Sequence, residues 1–411
     1  MAAFPPVDLL SVAVYAALAG VIVLATRARP SSAFVALIAT APFDFSHALG
    51  DTTITFDKVV LVAAIAGLAL RRPRVALPRA ILLSILAIVI VTLLTIIVAE
   101  YREPVLRETL KWVQYLLVFA VAATAWGLDP DRFRLCLATI ITVSLVSVLA
   151  LVQLWIGSPS VILVANHVFP RIAGPIEGPN QLAAYLGLAL PFLSIWTLER
   201  VTIGSLLAVA IASATLILTL SRSGLLCAAI SVGVVLAFAP QRSGRAPLAI
   251  AYGAGIIAAV VVLLGLSPEI LARFLWFGET GEGGGVSKRS VLWRAAYTMW
   301  ERHPVLGVGA GNFELLLPRV GDAGIRTHAN SWYLQSLAEG GLPLLFATCA
   351  LVWASTATFR RSLQKPLCLA AFAASLGFAI HGFFDLLVFY PKVAIMWFAL
   401  LGVAGRESQS S

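Results

Sequence analysis

Charge is scarce in this chain. Only 12% of its 411 residues are Asp, Glu, Lys or Arg, against about a quarter in a soluble globular domain. That shortage excludes an ordinary soluble fold. Cysteine is also sparse. Cys136, Cys227, Cys349 and Cys368 all lie inside apolar stretches, with neither zinc spacing nor loop positions, so they read as small hydrophobes rather than a disulfide or metal framework. The histidines, His47, His167, His303, His328 and His381, form no i, i+4 pair and no HExxH, and residues 267–331 hold no compact carboxylate cluster. A catalytic metal is therefore not expected. Nor is a nucleotide cofactor. "GETGEGGGVSKRS" has no glycine directly before Lys288, as a P-loop needs. "GVGAGN" puts Asn312 at the third glycine position, with no βαβ unit around it.

What the chain has instead is oil. It is 60% hydrophobic, and runs such as "VDLLSVAVYAALAGVIVLAT" and "AILLSILAIVIVTLLTIIVA" are long enough for a helix to cross a bilayer. Unbroken runs exclude a barrel, whose strands would alternate. The fold class is an all-α polytopic membrane protein. About 12–13 transmembrane helices are expected, beginning near residues 7, 32, 56, 80, 110, 135, 180, 202, 224, 247, 332, 367 and 391. The first run has no basic cluster before it and no clean cleavage site after it, so it reads as a span and not a cleaved signal.

Arginine-bearing connections at 26–30, 71–79, 129–134, 198–200, 240–245 and 359–365 fall on one common side, which the positive-inside rule makes cytoplasmic. The formal charge of +9 then reflects membrane anchoring, not nucleic acid binding. The opposite side holds 44–57, 99–109, 157–179, the turn at 221–224 and the one sizeable extramembrane piece. This count puts the N-terminus outside. Three regions follow: 1–266, transmembrane helices with short loops; 267–331, an outer segment; and 332–405, C-terminal transmembrane helices. Within 267–331, Val291, Leu292, Ala295, Ala296 and Met299 keep helical spacing over 289–303. They predict a short amphipathic helix on the membrane face, ended by Pro304.

Charges that persist near a bilayer usually mark function, and here they gather on the outer side. Arg222, in "LTLSRSGLL", is either a snorkelling helix-end arginine or a phosphate clamp, since guanidinium matches phosphate oxygens bidentately. Arg289 shares a face with Trp293, Ala296 and Trp300, and is either an interfacial arginine or an anion ligand. Arg171 precedes "PIEGPNQLAAYL" and has the same two readings, while Asn180 after Pro179 is a credible N-cap. His328 is either a satisfied core histidine or a base that titrates near neutral pH. It opens a span that Thr327 or Asn330 could cap. Its helical face continues through Trp332, Gln335 and Glu339, a polar stripe that suggests a lined cavity. Glu339 could instead satisfy backbone around Gly340 and Gly341.

Four stretches in order, "RIAGPIEGPNQLAAYLGLALP", "LTLSRSGLL", "SKRSVLWRAAYTMWERHPVLGVGAGNFE" and "THANSWYLQSLAEGGLPLLF", resemble the O-antigen ligase and polymerase superfamily over roughly residues 160 to 350. The resemblance implies a GT-C-type glycosyltransferase of the bacterial inner membrane, working on its periplasmic face without metal or nucleotide. Its donor would be a glycan on undecaprenyl diphosphate. Its acceptor would be a lipid A–core hydroxyl for a ligase, or another lipid-linked repeat for a polymerase. By the same resemblance His328 is catalytic, Arg222 and Arg289 bind the diphosphate, and Arg171 is a third ligand. From the reading of the residues themselves, Asn180, Asn330, Gln335 and Glu339 are candidates for support. It also implies twelve spans and a cytoplasmic N-terminus, where the loop charges put that end outside. The ligase is the favoured reading. A secondary transporter would show internal repeats and broken helices in both halves, and no matching halves are visible.

Overall fold

Fourteen α-helices and two short β-hairpins make up the described part of the computed structural model. It describes residues 9–43, 46–49, 52–73, 76–157, 160–164, 167–239, 286–320 and 327–410. The span expected near 247 and the glycine-rich stretch 267–285 lie outside these residues. The helices are α1 (Leu9–Ala28), α2 (Ser31–Thr40), α3 (Phe56–Ala69), α4 (Arg79–Leu94), α5 (Arg102–Leu128), α6 (Arg132–Ile156), α7 (Pro179–Glu199), α8 (Ile203–Leu218) and α9 (Arg222–Phe238). After the undescribed stretch come α10 (Val286–Arg302), α11 (Phe313–Leu316), α12 (Trp332–Arg360), α13 (Pro366–His381) and α14 (Pro391–Gln409). The hairpins pair β1 (Ser46–Leu49) with β2 (Thr52–Thr55) and β3 (Ser160–Val164) with β4 (His167–Arg171).

This is an all-α polytopic membrane protein. Among the described residues, five helices are long and apolar enough to cross a membrane, and further apolar helices are shorter. Side chains that a soluble fold would hide lie outside: Trp155 is 83% and Trp353 73% exposed, as acyl chains rather than water would permit. The helices at the expected second and third spans have only 10 and 14 residues. At 1.5 Å per residue they reach about 15 and 21 Å, short of a ~30 Å hydrocarbon layer.

Two helices form the centre. α14 is buried continuously from Val393 to Gly405 and packs along α5. α7 is buried over most of its length, with Tyr185 and Leu186 fully inside. A large aromatic cluster joins α5, α12, α13 and α14 through Trp112, Trp332, Phe378 and Trp397.

The bundle has two chemically different ends. At one, Arg71 donates to the Arg27 carbonyl (2.9 Å), Arg132 pairs with Glu407, Trp126 Nε1 donates to Glu407 (3.1 Å) and Lys365 Nζ to the Glu407 carbonyl (2.8 Å). These contacts bring the arginine-bearing connections around 27, 71, 132 and 365 to a common end, as their alternation in sequence requires. The other end carries the first turns of α5, α7, α9, α12 and α14. Here α5 starts at Arg102, not near 110. Its first turns are held by i, i+4 and i, i+3 ion pairs, Glu103–Arg107 and Glu108–Lys111, so the helix continues past the apolar run.

The expected amphipathic helix is α10. Its face of Leu292, Ala295, Ala296 and Met299 is buried against Phe313, Leu317, Ala329 and Ala338, while Val291, placed on that face by spacing, is exposed. The chain after it docks into a break in α12. Gly341 leaves the helical region with φ 62° and ψ −159°. The carbonyls of Ala338 and Glu339 accept from the amides of Val308 (2.9 Å) and Gly309 (3.0 Å), and Leu342 N donates to Pro304 O (3.2 Å). Interrupted backbone at membrane depth must find partners inside the protein, and residues 304–309 supply them.

Gly307 has φ 63°, and a Cβ there would stand 2.4 Å from the Ala338 carbonyl oxygen. Gly307→Ala is therefore expected to lose at least about 1–2 kcal/mol from backbone strain alone. A lowered thermal midpoint of the detergent-purified protein is the outcome that checks it; an unchanged midpoint would contradict the docked break.

Candidate active site

Helix starts converge at the end opposite the Glu407 cluster, and each is set by local chemistry. Ser221 caps α9 by accepting from Gly224 N (3.3 Å), which places Arg222 at the first helical position. Leu220, just before, is left-handed with φ 53°. α7 begins after Gly178 with Pro179 at its first position, and no side chain caps it. Asn180, read as a possible cap, does something else. Its Oδ1 accepts from Arg171 Nη2 (2.9 Å), because Pro179 already occupies a position that needs no donor partner. α12 is capped by Ser331, not Thr327 or Asn330. Asn330 sits in a left-handed turn with φ 49°, a conformation asparagine tolerates better than most residues.

The three arginines share one basin. Arg171 is 8% exposed; its Nε donates to the Thr219 carbonyl (2.9 Å), next to the turn that starts α9. The charge of Arg289, on the first turns of α10, acts on both Arg171 and Arg222. Burial first, and then Arg289, push Arg171 down to about 10, which leaves it protonated at neutral pH. Burial likewise lowers Arg289, against the pull of Asp385. Among the described residues the Arg289 side chain has no hydrogen bond or ion pair, although Asp385 attracts it.

Asp385 was not singled out in the sequence. It lies in the turn between α13 and α14, 3% exposed, and accepts from Leu386 N (2.8 Å) and from the Asn180 side chain. Burial raises its carboxyl, while Leu386 N, Arg289, Asn180 and Arg171 pull it back. An acidic residue inside "HGFFDLLVFY" was a visible signal, since ionisable groups in apolar runs rarely lack a role. Beside this basin His381 Nε2 meets Ser223 Oγ at 3.2 Å.

His328 stands in the extended stretch before α12. Its Nε2 is 2.9 Å from Tyr390 Oη, and its ring lies 4.5 Å from that of Phe389. Burial, and then the charge of Lys111, push its imidazole down to about 4, so the ring is neutral at pH 7. Lys111 Nζ sits 4.2 Å over the same Phe389 ring. Gln335 Oε1 accepts from Ala329 N (2.8 Å), holding the residue after His328. Gln335 Nε2 donates to Glu339 Oε1 (2.9 Å), which also accepts from Phe313 N (3.2 Å). Glu339 thus serves backbone in the 311–313 turn, not around Gly340 and Gly341.

A cavity of about 270 Å³ lies beside His328 and is lined by Trp332, Gln335, Glu339, Glu108 and Glu314 among others. None of the three arginines lines it. The link between cavity and basin is Tyr390, which touches His328 on one side and on the other is hydrogen-bonded to the Gln181 side chain and feels the charge of Asp385. The site therefore has two compartments meeting at the His328–Tyr390 pair, one cationic and one lined by carboxylates, amide and indole.

Asn180 bridges two buried charged groups. Its replacement by alanine leaves donors of Arg171 unpaired, at a cost on the order of 1–3 kcal/mol. Asn180→Ala should lower the thermal midpoint, whereas Asn180→Ser, keeping an acceptor, should lower it less; equal midpoints for all three proteins would remove the bridging role.

No curated protein matches the chain. Residues 207–349 match the model of the family described as O-antigen ligase, a stretch that contains Arg222, Arg289, His328, Gln335 and Glu339 but not Arg171, Asn180, Asp385 or Tyr390. The matched segment, set in a multi-helix membrane bundle, makes the chain similar to the O-antigen ligase family over those residues.

Proposed function

We propose that this protein is an O-antigen ligase that moves a glycan from undecaprenyl diphosphate to a hydroxyl of the lipid A–core oligosaccharide, with inversion and without a metal. The observation that supports it is the pairing of a three-arginine basin, in which Arg171 is buried and Arg222 and Arg289 are half-buried, with a neutral His328 through Tyr390. The arginine-bearing connections around 27, 71, 132 and 365 lie at the opposite end of the bundle, so that end is taken as cytoplasmic, and the site then faces the periplasm of the inner membrane.

The chemistry follows from the two compartments. The donor already carries its leaving group, so what must be handled is one proton and the charge that grows on the diphosphate. The acceptor oxygen forms a bond to the anomeric carbon as the bond from that carbon to the phosphate oxygen breaks. The electron pair leaves with the diphosphate, held by Arg222 and Arg289 with Arg171 behind them. The acceptor proton goes to His328. With Nε2–H donating to Tyr390, Nδ1 carries the lone pair that receives it. Gln335 and Glu339 act as positioning residues for the turn on which His328 stands, and no side chain is assigned as an enzyme nucleophile, so a single inverting displacement is the simplest course.

His328→Ala in purified enzyme, given lipid-linked glycan and lipid A–core, is expected to abolish transfer; a wild-type rate would remove the base assignment. Arg222→Lys should cost on the order of 2.7–4 kcal/mol in kcat/KM, because a point charge replaces a bidentate fork. The pH dependence has a definite sign. A base whose protonation lies near 4 is neutral above that value and lost below it. The acid limb of kcat/KM should accordingly lie well under the ordinary histidine value near 6.5. Lys111→Gln removes a cation that disfavours imidazolium, so the limb should move to higher pH. A limb already at the ordinary value, unmoved by that substitution, would contradict the buried, neutral state of His328. Cells lacking the protein should accumulate long lipid-linked chains over a bare lipid core; a core bearing a single repeat would make the protein a polymerase instead.

A further inference from the structure

Outside the two compartments, a groove with both charge and oil lies between the outer turns of α3, α5 and α14. It encloses about 620 Å³. Its floor and lower walls are apolar, with Leu61, Leu117 and Ile395 among them, and Val62 and Leu110 are 65% and 67% exposed at its edge. Its upper rim carries Lys58, Arg107, Lys111 and Lys392, with Asp57 the one acidic residue in the lining. Arg107 and Lys111 are paired with Glu103 and Glu108, and Lys392 Nζ donates to the Pro175 carbonyl (2.6 Å), which leaves Lys58 as the rim cation with neither an ion pair nor a hydrogen bond among the described residues. Two polar atoms in the lining, Thr55 Oγ1 and Asp57 Oδ1, are buried without a hydrogen-bond partner among the described residues. The other carboxylate oxygen of Asp57 is taken by Gln114 Nε2 at 2.5 Å.

Cations above exposed aliphatic side chains form the negative image of a phosphate-bearing lipid, with a headgroup anion at the rim and hydrocarbon below. The groove also leads to the chemistry. Arg107 lines both the groove and the cavity beside His328. Lys111 lines the groove and covers the ring of Phe389, which lines the cavity next to His328. An amphiphile anchored in the groove would thus have its phosphate at the rim. Its sugars would pass Arg107 into a chamber whose lining of Glu108, Glu314, Gln335, Trp112 and Trp332 suits hydroxyl donors and sugar faces. The arginine basin, which lines neither space, stays available to the other substrate.

We propose that the α3–α5–α14 groove binds the phosphate-bearing lipid anchor of the glycosyl acceptor, with the adjoining cavity holding the acceptor's terminal sugar against His328. The proposal rests on the transfer reaction described above and adds the acceptor's route: donor and acceptor reach His328 from different sides.

Lys58 is exposed at the rim and belongs to neither compartment, so it gives the cleanest test. Two-substrate kinetics are measured with full-length enzyme in nanodiscs, for wild type, Lys58→Glu and Lys58→Gln, varying lipid A–core and lipid-linked glycan separately. A lysine near an anionic lipid surface contributes about fivefold in affinity. Lys58→Gln should raise the acceptor KM by about that factor and Lys58→Glu by more, with kcat and the donor KM unchanged. Direct binding is read by native mass spectrometry with bisphosphorylated lipid A, the same lipid dephosphorylated, and phosphatidylglycerol as probes. The bisphosphorylated form should bind most tightly and lose affinity in Lys58→Glu. Equal binding of the dephosphorylated probe, an unmoved acceptor KM, or full competition by phosphatidylglycerol would each overturn the assignment, the last by making the groove an ordinary anionic-lipid site. Absence of transfer by the wild type would strike the reaction itself, while the binding measurements would still judge the groove.

Discussion

The arrangement depends on one repair of broken backbone. α12 carries the stretch that presents His328, and it cannot run straight through the bundle because Gly341 departs from helical geometry. The carbonyls freed by the break accept from the amides of Val308 and Gly309. Those residues belong to the turn that follows α10, the helix bearing Arg289. One set of backbone hydrogen bonds therefore joins the element that holds a cation of the basin to the element that holds His328. The positive φ angles of Gly307, Gly309 and Gly311 are the local condition for it, since a side chain at the first would strike the α12 backbone. Asn312 completes the joint: fully buried, it exchanges hydrogen bonds with the backbone of Tyr101 at 2.9 Å in both directions, so the same turn is tied to the start of α5.

Around this joint, burial does the electrostatic work. Three guanidinium groups in one basin repel each other, and a buried Asp385, a bridging Asn180 and the Thr219 carbonyl are among the groups that offset it. His328 is kept out of that basin but within one hydroxyl of it. Removing the ring from water and placing Lys111 nearby both favour the neutral form, which is the form a base needs.

Both ends of the bundle satisfy part of their charge directly. At the Glu407 end, cations meet a carboxylate or helix-terminal carbonyls. At the other end Arg107 and Lys111 meet Glu103 and Glu108, while Arg171 is held by a carbonyl and an amide oxygen and Lys111 also covers an aromatic face. Arginines that look alike in composition are thus satisfied in different ways.

Much of this was legible in the chain. Apolar runs determined that it is helical and membrane-spanning, arginine-bearing connections determined which helix ends share a side, and the glycines of "GVGAGNF" marked a turn. His328, Arg222 and Arg289 were visible because polar residues at the ends of apolar runs are costly to place. Helix spacing linked His328 to Trp332, Gln335 and Glu339, and those residues do line one cavity. Other features were decided only when distant segments met. Asn180 reads as a cap until Arg171 and Asp385 are packed against it. Asp385 and Tyr390 lie outside every motif and acquire meaning from partners more than sixty residues away or on other helices. The early start of α5 escaped notice because its first turns are polar and are held by ion pairs along the helix rather than by hydrophobic period. Local pattern records the periodic cost of burying or exposing each residue, and so it determines elements and their sides. Which buried charge faces which is a property of packing between elements, and only the tertiary structure carries it.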